Sequence, residues 1–445
     1  MNKVAVIGAG LAGCEAALVL ARQGINVSLY EARPQRMTPA HTTDLPAELV
    51  CSNSFKSQDV PSGHGQLKAE LSMLDSPLLA LARKNAVPAG SSLSVDRENF
   101  SRDVAASIAA EPLITFIRQE CTEPPDGFDL CIIAAGPLAS EGLCGWLTKE
   151  FSSVSLNFYD AIAPIISADS IDYSIAFSAS RWVEGEGDYI NCPFNSDEYK
   201  AFFDALTEAD KVIARKFENE KFFEACLPVE EIASRGYQSL AFGPLRPVGL
   251  DDPRTGRWPH AVCQLRKEDA NGESYNMVGF QTRLTIPEQK RIFRMIPGLA
   301  NAEFLRFGSI HRNTYMDSPR LLSEDLSFKT RPQLFLAGQL CGNEGYTESI
   351  ATGHLSALFA CNKLSGQYLC PPPDVCALGA LHRHVISSLV QPFTPSNVHF
   401  GLFPPIDIGN RRKVGKKEKK EMLCKRADEA FRKWAELHLK SVKVI

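Results

Sequence analysis

A doubly wound α/β fold of the dinucleotide-binding type, interrupted by an inserted α+β domain, is predicted by three observations: a complete strand, glycine turn, helix and strand unit at the N-terminus, a second glycine-rich strand end near residue 338, and a change of pattern between residues 161 and 319. In the first unit, Lys3 to Glu31, an apolar strand (Val4, Ala5, Val6, Ile7) runs into Gly8, Gly10 and Gly13. An apolar-periodic helix follows through Leu18 and Leu20, then a turn at Gly24 and a second strand, Val27 to Tyr30, closed by Glu31. Gly8 permits the tight turn, Gly10 lets a pyrophosphate approach backbone at the positive end of the helix, and Gly13 lets helix and strand pack closely. The stretch Gly8, Ala9, Gly10, Leu11, Ala12, Gly13 is therefore the expected cofactor loop, and FAD or NAD is the expected ligand. Glu31 is placed to accept hydrogen bonds from adenosine ribose hydroxyls, and an acid there argues against a 2′-phosphate.

Further along, Val95 to Ala110 predicts a helix beginning in an Asp-Arg-Glu turn, followed by strands Leu113 to Arg118 and Leu130 to Ala134 before Gly136-Pro137. These belong with the first unit. From about Tyr159 the pattern changes to Pro-interrupted strands, a polar helix over Asp197 to Glu220 and turn signals such as DDPRTG and NGES, ending near Ser318-Pro319. The chain then returns to its first pattern, since apolar strand Leu334 to Ala337 meets a glycine-rich turn that opens a helix near Thr347. A Rossmann-like FAD-binding domain over 1–160 and 320–445, carrying an insert over 161–319, is the resulting division. Gly338 and the following helix are expected beside a flavin.

Composition sets outer bounds. A chain of 445 residues, 44% hydrophobic and 22% charged, suffices for two domains with sizeable cores. No apolar run reaches the ~18 residues of a membrane span and no signal peptide precedes the first strand, so a cytoplasmic protein without membrane contact is expected. Thirteen cysteines are scattered with no C-x-x-C pair, which reads as mostly buried, reduced thiols. The His382-Arg383-His384 cluster lacks a carboxylate or cysteine at ligand spacing, so no metal is expected and the cluster reads as helix surface. Net charge is −4, yet residues 410–445 hold 13 Lys/Arg against 5 Asp/Glu, a local +8 that leaves −12 for the rest. From Glu418 to Leu439 this tail reads as a helix with apolar Met422, Ala427, Phe431, Trp434 and Leu437, suited either to nucleic acid phosphates or to plain solvation.

Beyond the loop, the blocks LYEARPQRMTPAH (29–41), ELVCSNSFKS (48–57), VPAGSSLSVDR (87–97), AAGPLAS (134–140) and FYDAIAPI (158–165) resemble those of the folate- and FAD-dependent tRNA uracil-5-methyltransferase family, TrmFO, formerly Gid. So do CLPVEEIASRG (226–236), FGPLRPVGL (242–250), YNMVGFQTRL (275–284), FGSIHRNTYMDSP (307–319) and FGLFPPI (400–406), which extends the resemblance over essentially the whole chain. It implies a GR2-type flavoprotein fold and methylation of the T-loop uridine of tRNA to 5-methyluridine. Methylenetetrahydrofolate would be the carbon donor, and FADH2, refilled by NADH or NADPH, the reductant. The tRNA T-arm is the implied partner, with ribosomal RNA as the alternative substrate; no protein partner is indicated.

Uracil C5 is a poor nucleophile until a thiolate adds to C6, so the chemistry requires an activated cysteine. Cys226 and Cys51 match the family's functional pair. Cys226 is assigned as nucleophile and Cys51 as a flavin-proximal partner that holds or protects the one-carbon unit, its thiolate favoured by nearby hydroxyls and Lys56. Tyr346 matches an aromatic that stacks near the isoalloxazine, against the simpler reading of a loop tyrosine over a glycine turn. Arg283 and Arg312 suit a phosphate or the folate glutamate tail, or equally a structural ion pair. Two departures stand out. Gly338-Gln339 replaces the Gly-Asp of many flavoproteins, in agreement with the family, while Ser91-Ser92 stands where glycine and alanine are usual, which removes backbone freedom near the expected flavin. Rival readings are a flavin-containing RNA chaperone with idle thiols and a small-molecule NAD(P)H-flavin oxidoreductase. The second leaves the insert and the basic tail without a use.

Overall fold

The computed structural model describes residues 2–152, 156–183, 185–212, 227–388, 393–406 and 414–439. Its largest parallel sheet has the strand order Ser327–Phe328, Arg331–Leu336, Leu130–Ile133, Lys3–Ile7, Asn26–Glu31 and Ile114–Arg118. Every pair is parallel except the edge pair Ser327–Phe328 with Arg331–Leu336. Val6 sits opposite Leu29 on one side and Ile132 on the other, so the first strand is central and buried from Val4 to Ile7, as that unbroken apolar run requires. The chain order reverses beside that strand, which opens a crevice at the carboxyl ends of the strands.

Helix Leu11–Arg22 packs along helix Tyr346–Leu364, and the close approach is set by glycine. A Cβ on Gly353 would lie 2.2 Å from the Ala12 carbonyl oxygen, and one on Gly13 would lie 1.8 Å from the Gly8 carbonyl oxygen. Helix Tyr346–Leu364 is buried from Thr347 to Asn362, with Glu15 and His354 paired at 2.8 Å between the two helices. Helix Arg97–Ala110 starts after Asp96, whose side chain accepts from the Asn99 amide. Helix Lys416–His438 buries Leu423, Cys424, Ala427, Phe431 and Trp434 and leaves Leu437 at the surface; Trp434 donates to the Cys370 carbonyl oxygen. Its lysine-rich first turns are exposed.

A second core, from Ile166 to Ala302, lies under an antiparallel sheet ordered Phe177–Ala179, Tyr189–Phe194, Ala261–Lys267, Ser274–Met277, Ile165–Ser167 and Phe304–Arg306. The chain enters and leaves this region through one antiparallel ribbon, Leu156–Ile162 against Ser309–Tyr315. Two expectations change. The polar helix spans Ser196–Glu208 and stops there, because Ala209 turns extended, Lys211 bridges to Leu284, and Val212 donates to the Arg283 carbonyl; residues 213–220 of the expected helix lie outside the described residues. His382 and His384 are buried instead of lining a helix surface. Each ring is satisfied by a carbonyl oxygen, Glu324 at 2.6 Å and Thr394 at 3.0 Å, and burial lowers both pKa values. No helix among the described residues is long and apolar enough to cross a membrane, no group among them could hold a metal ion, and their cysteines are free thiols, mostly buried.

Candidate active site

Two adjoining cavities open at the carboxyl ends of the parallel strands, and both are lined by Val50, Pro137, Leu138, Gln339 and Tyr346. The first runs along the glycine loop. Of the residues expected to hold the cofactor, Gly8, Gly10, Leu11, Ala12, Glu31, Gly338, Gln339 and Tyr346 line it. Ala9 and Gly13 sit behind its wall: the Ala9 amide donates to Glu31 at 3.1 Å, and Gly13 serves the helix-on-strand contact. A dinucleotide fits this groove on three counts. Gly8 has φ +101°, a Cβ on Gly10 would meet nothing within 4 Å, and no side chain caps helix Leu11–Arg22, so its first-turn amides are available to a pyrophosphate.

Glu31 already accepts four donors: the Ala9 amide and the Arg33 amide, Nε and Nη2. Burial pushes its pKa up, but the Arg33 hydrogen bonds and charge outweigh this and hold the carboxyl below its usual range. With its lone pairs used, Glu31 receives a ribose hydroxyl only by releasing one of these donors. Arg33, which also reaches Glu48 at 3.1 Å, was not anticipated as part of the site.

The second cavity contains Cys51, on the loop before strand Ser54–Ser57. Tyr346 fixes that loop, its hydroxyl accepting from the Cys51 amide at 2.9 Å and the Ser52 amide at 3.1 Å. Cys51 Sγ donates to Asp160 Oδ2 at 3.3 Å. The thiolate expectation is corrected here: burial, then the charges of Asp160 and Glu344, push the Cys51 pKa well up against the opposing charge of Arg306. Lys56 lines the same cavity. Glu344 hydrogen-bonds Gln339 at 2.8 Å and is itself pushed up to about 8 by burial and Asp160.

Strand alternation explains which ribbon residues reach this cavity. Asp160 pairs with His311, and His311 and Asn313 look into the cavity, so the intervening Arg312 falls on the other, exposed face. Burial and Arg306 lower the His311 pKa to about 4, leaving a neutral ring at neutral pH. Arg283 is paired with Glu231 at 2.5 Å, and neither Arg283 nor Arg312 lines either cavity. Asn276 was missed; it lines the second cavity, is 3% exposed, and its Nδ2 has no hydrogen-bond partner among the described residues. Arg266, also a lining residue, is buried and bonded to Asn53 at 3.0 Å. The blocks FYDAIAPI and YNMVGFQTRL contained Asp160 and Asn276, but sequence spacing alone gave no reason to single them out. Ser91 and Ser92 line neither cavity.

Cys226 lies outside the described residues. The chain resumes at Leu227, and the Val229 amide then donates at 2.6 Å to the Gln281 carbonyl of the cavity lining.

The sheet order, the glycine groove and the satellite cavity define a flavoprotein-type dinucleotide fold. Two solved structures of Aquifex aeolicus GidA share it, with TM-scores of 0.68 and 0.69 at 14% and 15% identity, over 99% of this chain and 75% and 77% of theirs. The family described as Glucose inhibited division protein A matches residues 3–368. Three curated relatives are each a methylenetetrahydrofolate–tRNA-(uracil-5-)-methyltransferase TrmFO. That of Anaeromyxobacter dehalogenans is 51% identical over 94% of this chain and 94% of its own length, that of Koribacter versatilis 49% over 97% and 98%, and that of Geobacter sulfurreducens 50% over 95% and 96%. The chain belongs to the Glucose inhibited division protein A family and, within it, to the TrmFO family.

Proposed function

We propose that this chain methylates C5 of the T-loop uridine of tRNA, with methylenetetrahydrofolate as carbon donor and FAD as redox cofactor. The observation that carries this reading is identity near 50% along almost the full length of TrmFO relatives. The paired cavities supply a physical basis. FAD fits the glycine groove, and when bound it provides the electrons, drawn from NADH or NADPH, that convert a methylene into a methyl group.

The remaining chemistry belongs to the chain. Tyr346 lies in the wall common to both cavities, where a flat ring can stack on it, and its hydroxyl sets the Cys51 loop. Cys51 is held as a thiol on Asp160, which suits a reserve group whose proton has a waiting acceptor better than a standing nucleophile. That supports Cys226 as the group adding to uracil C6, with Cys51 guarding the one-carbon unit. Asn276 Nδ2 is a buried donor ready for a ring carbonyl. The insert, residues 161–319, and the basic helix Lys416–His438 are the proposed RNA-holding parts.

The test is transfer of label from methylene-labelled methylenetetrahydrofolate to unmodified tRNA transcript with NADH or NADPH, with S-adenosylmethionine as the control donor. Label in T-loop 5-methyluridine supports the reading. Transfer to ribosomal RNA alone moves the substrate, and no transfer to either removes the methyltransferase assignment. Cys226→Ala is expected to abolish transfer while tRNA binding remains; persistence of transfer would displace Cys226 as nucleophile.

A further inference from the structure

The inserted region carries an exposed aromatic and arginine surface that none of the chemistry above uses. Trp182 is 74% exposed, Trp258 51% and Phe242 74%, and the two indoles meet edge to face at 6.2 Å. Isolated apolar side chains on a surface are ordinary, but two exposed indoles in contact beside guanidinium groups are not. Trp182 is held in place: its amide donates to the Gly249 carbonyl, and its ring lies so close over Gly249 that a Cβ there would come within 2.8 Å of it. Beside it a shallow cleft is lined by Arg181, Trp182, Gly243, Arg246 and Val248.

Among the described residues neither Arg181 nor Arg246 of this cleft forms an ion pair with a carboxylate. Arg181 donates to the Val248 and Arg246 carbonyls and to Gln264 Oε1, all neutral acceptors, so no carboxylate takes up its charge in these bonds. Arg181 and Arg246 line the same cleft, and burial, then the like charge of Arg246, lower the Arg181 pKa. A phosphate between them would relieve that repulsion.

The cleft also adjoins the second cavity. Pro244 follows Gly243 of the cleft, and a Cβ on Gly279 of the cavity lining would lie 2.6 Å from the Pro244 ring. Gln264, which holds Arg181, accepts through its carbonyl from Val278, another lining residue. A nucleotide chain whose base is turned into the cavity over this wall meets the cleft directly, and turning out one base leaves its neighbours unstacked.

We propose that this surface receives the unpaired nucleotides flanking the target uridine, with Trp182 and Trp258 stacking on bases and Arg181 and Arg246 taking the phosphate between them. It rests on the tRNA reading above and assigns RNA contacts that the reading does not. Stacking on exposed rings tolerates any base, so this surface recognises single-stranded character and not sequence.

The test uses the flavin-loaded full chain with tRNA, the T-arm stem-loop and a fully paired duplex of equal length. Trp182→Ala and Trp258→Ala are each expected to weaken tRNA and stem-loop binding about ten-fold. The flavin content, its reduction by NADPH and kcat at saturating tRNA stay unchanged. Arg246→Ala lowers the salt slope of binding by about 0.7 to 0.9. Trp182→Phe keeps most of the affinity, which separates a stacking role from a folding defect. Stem-loop quenches the exposed tryptophan fluorescence and duplex does not. Wild-type affinity in both alanine variants, or equal quenching by the duplex, overturns the proposal even if the enzyme methylates tRNA. A wild type that neither binds nor methylates tRNA removes the functional reading as well.

Discussion

Gly353→Ala tests whether the contact between helices Leu11–Arg22 and Tyr346–Leu364 sets the cofactor groove. The added methyl would lie 2.2 Å from the Ala12 carbonyl oxygen and 2.8 Å from its carbonyl carbon and Cα. All three are backbone atoms, so no flexible side chain can give way and the helices must separate. Overpacking of this kind costs about 1–3 kcal/mol, and the backbone obstacle puts it near 3. Relief comes through displacement of Ala12, one residue from Leu11 and two from Gly10 in the groove lining. The expected result is a fall in Tm of roughly 3 °C, from about 3 kcal/mol against the unfolding entropy of a 445-residue chain, and partial loss of flavin, read as the ratio of 450 to 280 nm absorbance. The control is Gly145→Ala, in helix Glu141–Glu150, where a Cβ meets nothing within 4 Å; it should stabilise by about 0.5–1 kcal/mol through helix propensity. If Gly353→Ala keeps the wild-type Tm and full flavin occupancy, the claim that this approach shapes the groove is wrong.

Three further outcomes follow from the site. Asp160→Asn removes the charge that, after burial, most strongly raises the Cys51 pKa, so alkylation of the Cys51 peptide at pH 8 should quicken several-fold by mass spectrometry; an unchanged rate would count against the Cys51 to Asp160 contact. Burial alone would raise Glu348, but Lys56 and His64 hold it down to about 2, a stabilisation of about 3 kcal/mol above the unfolded pKa that fades as pH falls from about 4.5 toward 2. The urea midpoint gap between wild type and Glu348→Gln should accordingly be wide at pH 6 and narrow at pH 3; a gap that does not change with pH refutes that origin. Asn276→Leu deletes the cavity's unpartnered donor and should raise the KM for methylenetetrahydrofolate or for tRNA about ten-fold without loss of flavin, whereas unchanged constants would remove it from recognition.

The Rossmann half was legible because its signals are local. The apolar run at Val4 to Ile7, the three glycines and Glu31 occur within one continuous segment, and the helix expected near Thr347 begins at Tyr346. The polar helix after Asn195 was overextended, since its end is set by pairing of Lys211 with Leu284, a contact that local periodicity does not contain. The second cavity was legible only in part for the same reason. Cys51 stood out by its polar block, but the group that controls its proton, Asp160, is 109 positions away, and Asn53 reaches the Lys267 carbonyl across 214. The buried histidines 382 and 384 misled because their carbonyl partners are invisible to a search for metal-ligand spacing.

Helix Tyr346–Leu364 is enclosed by protein over nearly its whole length, so Tyr346 cannot shift without carrying the Rossmann core along. The tyrosine behaves as a fixed datum against which both cavities are measured. The opposite bank belongs to the inserted region, tethered by the ribbon Leu156–Ile162 and Ser309–Tyr315. Asp160 and His311 ride on that tether, so a hinge movement of the insert would retune the acid beside Cys51 while the flavin-facing wall stays still.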